Sequence, residues 1–141
     1  MNLTPEWASW FSGLVDGEGC FIIYRIGARY HSASFVINMR ADDKPMLEEI
    51  RQTLGFGAVH RRRRQRTGND THAYHVSGAK HMLALVRLFD QFPLRSRKRK
   101  DYEVWRTFVL LHASPKNATD PRLAELFREI KEARVFTEPS G

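Results

Sequence analysis

The sequence predicts an α+β protein: one four-stranded antiparallel sheet with helices packed on a single face, in the order αββαββα followed by further helices. Three observations lead there. Apolar residues recur at helical spacing before, between and after two pairs of extended segments. Thr67-Gly68-Asn69-Asp70 reads as a hairpin loop joining the second pair. The chain has 141 residues, enough for one domain with a proper core but with nothing left to cover the sheet's other face. That domain is assigned to residues 1–136, with 137–141 as a loose tail.

The first helix covers about residues 5–16. Trp7, Trp10, Phe11, Leu14 and Val15 recur at its spacing, and Thr4-Pro5-Glu6 reads as N-cap, first-turn proline and first-turn acid. Gly17 and Gly19 are natural terminators, since both accept left-handed angles. Strand one runs from about Cys20 to Arg29 and strand two from about Ser32 to Arg40. Ala41-Asp42-Asp43-Lys44-Pro45 gives a turn with an acidic cap and a helix-starting proline, and that helix reaches Leu54 before Gly55-Phe56-Gly57 breaks it. Strand three is about 58–66 and strand four about 71–77. Met82, Leu85, Val86 and Phe89 mark a third helix; two more lie near 97–112 and 120–135, separated by residues 115–121.

Strand alternation divides these residues between two faces. Phe35, Ile37 and Met39 face the helices in strand two, leaving Ser34, Val36, Asn38 and Arg40 on the open side. Val59 points inward in strand three, with His60, Arg62, Arg64 and Arg66 outward; Tyr74 and Val76 point inward in strand four, with Ala73 and His75 outward. Strand one stays open. Phe21 and Ile23 as core put Ile22 and Tyr24 outward, but carry Arg25 to the core side unless a bulge or twisted end intervenes.

Charge supports a phosphate-binding surface. Lys and Arg number 23 against 16 acids, and ten of those bases sit in two acid-free runs, 61–66 and 95–100. Without the two runs the chain would be slightly acidic. Arginine is the fork-shaped donor suited to phosphates and guanine edges, so the run in strand three speaks for more than solubility. Cys20 is the single cysteine, which excludes an internal disulfide and a Cys-based zinc site. No segment reads as a signal peptide or a membrane span, so the expected setting is a reducing compartment. The histidines lack metal-site spacing: His60 and His75 are read as open-face residues, and His31, His72, His81 and His112 as surface or packing residues.

Asp16 and Glu18 fall at the negative end of the first helix, where an acid costs roughly 0.3–1 kcal/mol. An acid held against that dipole points to a nearby cation, most simply a divalent metal. Ser9, Gly13 and Gly17 lie four apart and form a ridge that lets a second helix approach closely.

The segment Phe11-Ser12-Gly13-Leu14-Val15-Asp16-Gly17-Glu18-Gly19 resembles the signature of the LAGLIDADG homing endonucleases, with Glu18 at its last acid. Its flanks resemble the family in order: the strand Cys20-Phe21-Ile22-Ile23, Phe35 to Leu47 with Leu54-Gly55-Phe56-Gly57, and Pro93-Leu94-Arg95-Ser96-Arg97-Lys98 leading to Asp101, Tyr102 and Trp105. The likeness covers roughly residues 5–112.

The resemblance implies a site-specific, metal-dependent endonuclease that breaks both strands of double-stranded DNA at a long pseudo-palindromic site. The open sheet face is then its concave DNA-binding surface, with Tyr24, Asn38, Arg40, His60, Arg62, Arg64, Arg66 and His75 as contacts. The family uses two such helices side by side, so a single-motif chain implies a homodimer. Ser9, Ser12, Gly13, Asp16 and Gly17 would form its interface. Mg²⁺ is the implied cofactor, with Mn²⁺ or Ca²⁺ able to substitute, held by Glu18 and the Gly17 carbonyl. Asp16 either orients water or stabilises the helix end, the second being preferred.

The late basic residue near the scissile phosphate aligns between Arg97 and Lys98; a compact ammonium favours Lys98. One departure stands out: Met39 occupies the position where the family tends to carry a polar, water-holding residue, with Asn38 the nearest substitute. A non-catalytic DNA-binding regulator or an intron RNA maturase would suit the same scaffold. No membrane or small-molecule partner is expected. The expected location is the cytoplasm of a bacterial or phage host, or an organelle, without secretion.

Overall fold

A computed structural model of the chain describes residues 2–62 and 70–133. Helix α1 (Pro5–Glu18) begins at Thr4, whose Oγ1 accepts a hydrogen bond from the Trp7 N–H at 3.2 Å. It runs directly into β1 (Gly19–Ile26), which turns back as β2 (Tyr30–Arg40). A short 3₁₀ turn, Ala41–Asp43, leads into α2 (Lys44–Leu54), capped by Gly55 at φ +82°. Strands β3 (Ala58–Arg62) and β4 (Thr71–Val76) precede α3 (Ala79–Gln91), α4 (Lys98–His112), a 3₁₀ turn at Pro115–Asn117, and α5 (Pro121–Ala133). The four strands form one sheet in the order β1-β2-β4-β3, with every neighbouring pair antiparallel.

The helices pack on one face of this sheet. Helices α1, α4 and α5 lie against β1 and β2, while α2 lies against β3 and β4. The core between the layers is aromatic: Phe11 stacks on Phe89 at 5.8 Å, and Phe21 meets Trp105 at 5.2 Å. Trp105 is fully buried, and its indole N–H donates to the Ser34 carbonyl at 3.0 Å, so its polar handle is satisfied inside the core. Arg106 forks onto the Asp90 carboxylate, and the Tyr102 hydroxyl lies 2.7 Å from the same group, tying α3 to α4.

A polar joint fixes the end of α1. The Asp16 carboxylate accepts the backbone N–H groups of Arg95 and Ser96, each at 2.9 Å. The Ser96 hydroxyl donates to the Asp16 carbonyl at 3.0 Å and accepts the Lys98 N–H at 3.1 Å. Ser96 thereby caps α4 while holding it to α1. Partial burial pushes the Asp16 carboxyl up, but the bonds from Ser96 and Arg95 outweigh it and hold the group below the usual carboxylate range.

Several expectations change. Helix α1 continues through Gly17 to Glu18. Gly19 ends it in extended backbone at φ −74°, not in a left-handed turn. Space is what this glycine supplies, since a Cβ would lie 2.5 Å from Val15 Cγ1 and 2.9 Å from the Val15 carbonyl oxygen. The β1–β2 turn comes earlier than expected: β1 stops at Ile26 and β2 starts at Tyr30, leaving residues 27–29 between them. Phe21 and Ile23 are core, and Arg25 is exposed because the hairpin end projects beyond the helices. Arg63, Arg64, Arg66 and the expected hairpin loop at 67–69 lie outside the described residues, as does everything after Ala133. Among the described residues no helix is long and apolar enough to cross a membrane.

Two outcomes are expected for folding. Gly19→Ala should destabilise the protein by about 1–3 kcal/mol in chemical denaturation, because the added methyl overpacks against α1. Asp16→Ala should cost about 1–2 kcal/mol at neutral pH, from hydrogen bonds to a half-exposed charge. A carboxyl with a depressed folded pKa stabilises above its unfolded pKa, near pH 4, and loses that effect as pH falls through the folded value. The gap between wild type and Asp16→Ala should therefore close in acid; a constant gap from pH 7 to pH 2 would show that the ionised carboxylate is not what holds the joint.

Candidate active site and nucleic-acid interface

The joint brings the predicted catalytic residues to one end of α1. Glu18 is the last residue of the helix and is exposed. Lys98, first residue of α4, reaches back so that its Nζ donates to the Gly19 carbonyl. The Asp16 and Gly19 carbonyls are thus engaged by Ser96 and Lys98, and Gly17 and Glu18 lie between them. Arg97 is exposed immediately before α4. Asp16, whose carboxylate takes the backbone N–H groups of Arg95 and Ser96, has its charge accounted for inside the protomer. Glu18 alone of the two motif acids presents its carboxylate outward.

On β2, Gly19 pairs with Ile37, so Asn38 stands one residue further along, level with Glu18. Asn38 is exposed on the open face. Met39 belongs to the other face, half-buried and packed against the core. Among these two, only Asn38 offers a polar group beside the end of α1.

The open face follows the predicted alternation. Asn38 pairs with Ala73, which pairs with His60; Arg40 pairs with Thr71, which pairs with Arg62. Tyr24, Arg40, His60 and Arg62 are exposed, and His75 is half-buried. The His60 and His75 rings lie 6.3 Å apart. Burial first, then the positive fields of His60 and Arg62, hold His75 below the usual histidine range. Arg61 falls on the helix side, where it pairs with Asp70. The middle of the face is less open than expected: Ser34, Val36 and Ala73 are buried. Their strands are flanked on both sides, and neighbouring side chains such as Cys20 and His75, in register with Val36, shield them.

Three of the four remaining histidines pack against aromatic rings. His31 lies against Phe127 at 5.2 Å, His81 stacks on Phe56 at 4.7 Å and His112 on Phe108 at 5.2 Å.

Of the residues assigned to a helix–helix interface, Ser9, Gly13 and Gly17 are exposed on α1 and Asp16 is half-buried. Ser12 is a correction. It is buried, and its hydroxyl donates to the Phe92 carbonyl at 2.7 Å, inside the protomer. Trp10 is 40% exposed, unusually open for an indole, and sits beside Ser9 and Gly13. A cavity of about 430 Å³ runs along this face, lined by Ser9, Gly13, Asp16, Gln91, Pro93 and Arg95 among others. Sequence reasoning missed Ser96. Its signal was present, as a serine just ahead of a predicted helix start.

The sequence and fold find their counterparts among known proteins. The LAGLIDADG endonuclease family model matches residues 11–109. The probable intron-encoded endonuclease Cox1-I1b of Schizosaccharomyces pombe is 25% identical over 139 residues, covering 94% of this chain and 35% of that protein. An uncharacterized 50.9 kDa protein in ND4 intron 1 of Podospora anserina is 32% identical over 120 residues, covering 78% of this chain and 25% of that protein. The chain thus spans about a third or less of these relatives. Among solved structures, the LAGLIDADG meganuclease I-AabMI bound to uncleaved DNA shares the fold with a TM-score of 0.78 at 24% identity, over 94% of this chain and 46% of that one. The homing endonuclease I-TnaI gives a TM-score of 0.77 at 22% identity, over 97% of this chain and 92% of that one. With motif, sheet topology and family model in agreement, this chain belongs to the LAGLIDADG endonuclease family.

Proposed function

We propose that the chain is a site-specific, divalent-metal-dependent endonuclease that cuts both strands of a long pseudo-palindromic DNA site as a pair of identical subunits. The convergence of Glu18 and Lys98 at the end of α1, beside an open basic sheet face, carries this reading. The named relatives are intron-encoded, which favours a role in intron homing and an organellar setting.

The donor chemistry fits a hard cation. Glu18 offers a carboxylate and Gly17 a backbone carbonyl, the oxygen ligands that Mg²⁺ prefers and that Mn²⁺ or Ca²⁺ also accept. Among the described residues no group of three or more His, Cys, Asp or Glu side chains could hold a metal ion. One copy therefore falls short, and two α1 ends side by side would supply two such donor pairs. When bound, divalent ions would activate water and neutralise charge at phosphorus.

The protein's own residues do the rest. Lys98, held beside the Gly19 carbonyl, supplies a compact positive charge that polarises a water or a phosphate oxygen by hydrogen bonding. Arg97 adds a planar donor for phosphate, and Asn38 takes the water-holding role that Met39 cannot fill from the core side. Arg40, His60, Arg62 and His75 read base edges or bind phosphate in the major groove; Arg64 and Arg66, outside the described residues, are given the same role from the sequence. Pairing through α1 is supported by the exposed Ser9, Gly13 and Gly17 ridge and by the open Trp10.

Purified protein with Mg²⁺ is expected to linearise a plasmid carrying its insertion site, and Glu18→Gln to abolish cutting while leaving binding unchanged. Protein that binds its site tightly yet never cuts with Mg²⁺ or Mn²⁺ would point to the regulator, and preference for intron RNA over duplex to the maturase. Lys98→Ala should lower the cleavage rate on the order of 100-fold, with binding nearly intact. Arg62→Ala should weaken binding and reduce the slope of log affinity against log salt by about 1 if its partner is a phosphate. An unchanged slope with altered base preference would assign Arg62 to base readout instead.

A further inference from the structure

The far end of the β1–β2 hairpin exposes large apolar side chains, whereas Asn38, Arg40, His60 and Arg62 expose polar and basic ones elsewhere on the open face. Tyr24 is 40% exposed, and Ile26 and Tyr30 are each 50% exposed. Ile26 pairs directly with Tyr30, and Tyr24 with Ser32 two residues inward. Strand alternation puts all three side chains on the same face as Val36, Asn38 and Arg40, away from the helices. Arg29, in the turn beside this patch, is exposed and has no acidic partner among the described residues, whereas Arg25 falls on the opposite face with His31.

The patch is continuous with the face already assigned to duplex DNA, and the inference rests on that assignment. The Arg29 side chain beside it suits the phosphates bordering a groove. Along the major groove, base edges offer hydrogen-bond donors and acceptors and a single apolar group, the C5-methyl of thymine. Ile26 has no polar atom to pair with a base edge, and the faces of the two tyrosine rings, their hydroxyls apart, gain most from an apolar methyl.

We propose that Ile26 and Tyr30, with Tyr24 beside them, read thymine methyl groups at the outer end of each half-site. Seven residue steps separate Gly19 from Ile26 along β1. At ~3.3 Å per residue and ~3.4 Å per base pair, that is about seven base-pair steps out from the level of Glu18. The hairpin end thus supplies specificity by apolar contact, complementing the hydrogen-bonding His and Arg side chains of β3 and β4.

Selection from a randomised duplex library, with EDTA present to prevent cutting, tests this. Wild-type protein should enrich thymine, on either strand, at the outermost positions of the selected site. The Ile26→Ser/Tyr30→Ser double variant should lose that preference while keeping the inner positions. Replacing those thymidines with deoxyuridine should weaken wild-type binding about fourfold per methyl removed, and should leave the double variant unaffected. Outer positions without thymine enrichment, or deoxyuridine duplex bound as tightly as thymidine duplex by wild type, would overturn the proposal. The deoxyuridine comparison needs only wild-type protein, so it decides the matter even if the double variant fails to fold. Failure to enrich any duplex would remove the DNA interface itself, and this inference with it.

Discussion

The arrangement of this protein depends on the joint at Asp16. A carboxylate near the negative end of a helix is a local liability, and here it becomes the attachment point for a segment 79 and 80 residues downstream. The backbone N–H groups of Arg95 and Ser96 meet its charge, and Ser96 caps α4 in the same stroke. Because α4 begins at Lys98, the joint fixes where that ammonium can reach: back to the Gly19 carbonyl, next to Glu18. One acid forms the joint, and the other is left exposed.

The same geometry divides labour across the molecule. The helix side of the sheet is closed by aromatic packing around Phe21, Phe89 and Trp105, which makes the platform rigid. The opposite side carries exposed Arg, His and Asn side chains in register from strand to strand. Gly19 couples the two regions, since α1 can pass into β1 without a loop only where no Cβ meets Val15. The Glu18 end of α1 therefore sits at one end of β1, and the β1–β2 hairpin extends away from it.

Much of this was legible in the sequence. Helical spacing located α1, α3 and α4 within a few residues, and period-2 alternation assigned Asn38, Arg40, His60, Arg62 and His75 to the open face, because both patterns are local. What failed was non-local or steric. The donors to Asp16 come from far along the chain, so its preferred helix-end role was legible but its partners were not; Glu18 is the motif acid left exposed. Ser12 read as an interface residue because its partner, the Phe92 carbonyl, is 80 residues away. Gly19 read as a left-handed cap, whereas its role is spatial. Val36 and Ala73 are covered by side chains of neighbouring strands, which alternation within one strand does not register. Lys98 emerged from the family resemblance alone, since a lysine within a basic run carries no local mark of its contact with Gly19.

The central claim is that two α1 ends meet and present their Glu18 carboxylates together to divalent metal over bound duplex. Anomalous scattering from Mn²⁺ in crystals of the protein with its cut-site DNA tests it most directly. Manganese bound between the Glu18 side chains of two subunits, with Lys98 alongside, is the predicted result. Manganese held elsewhere, or a complex in which each duplex carries one subunit with Glu18 free of metal, would contradict it.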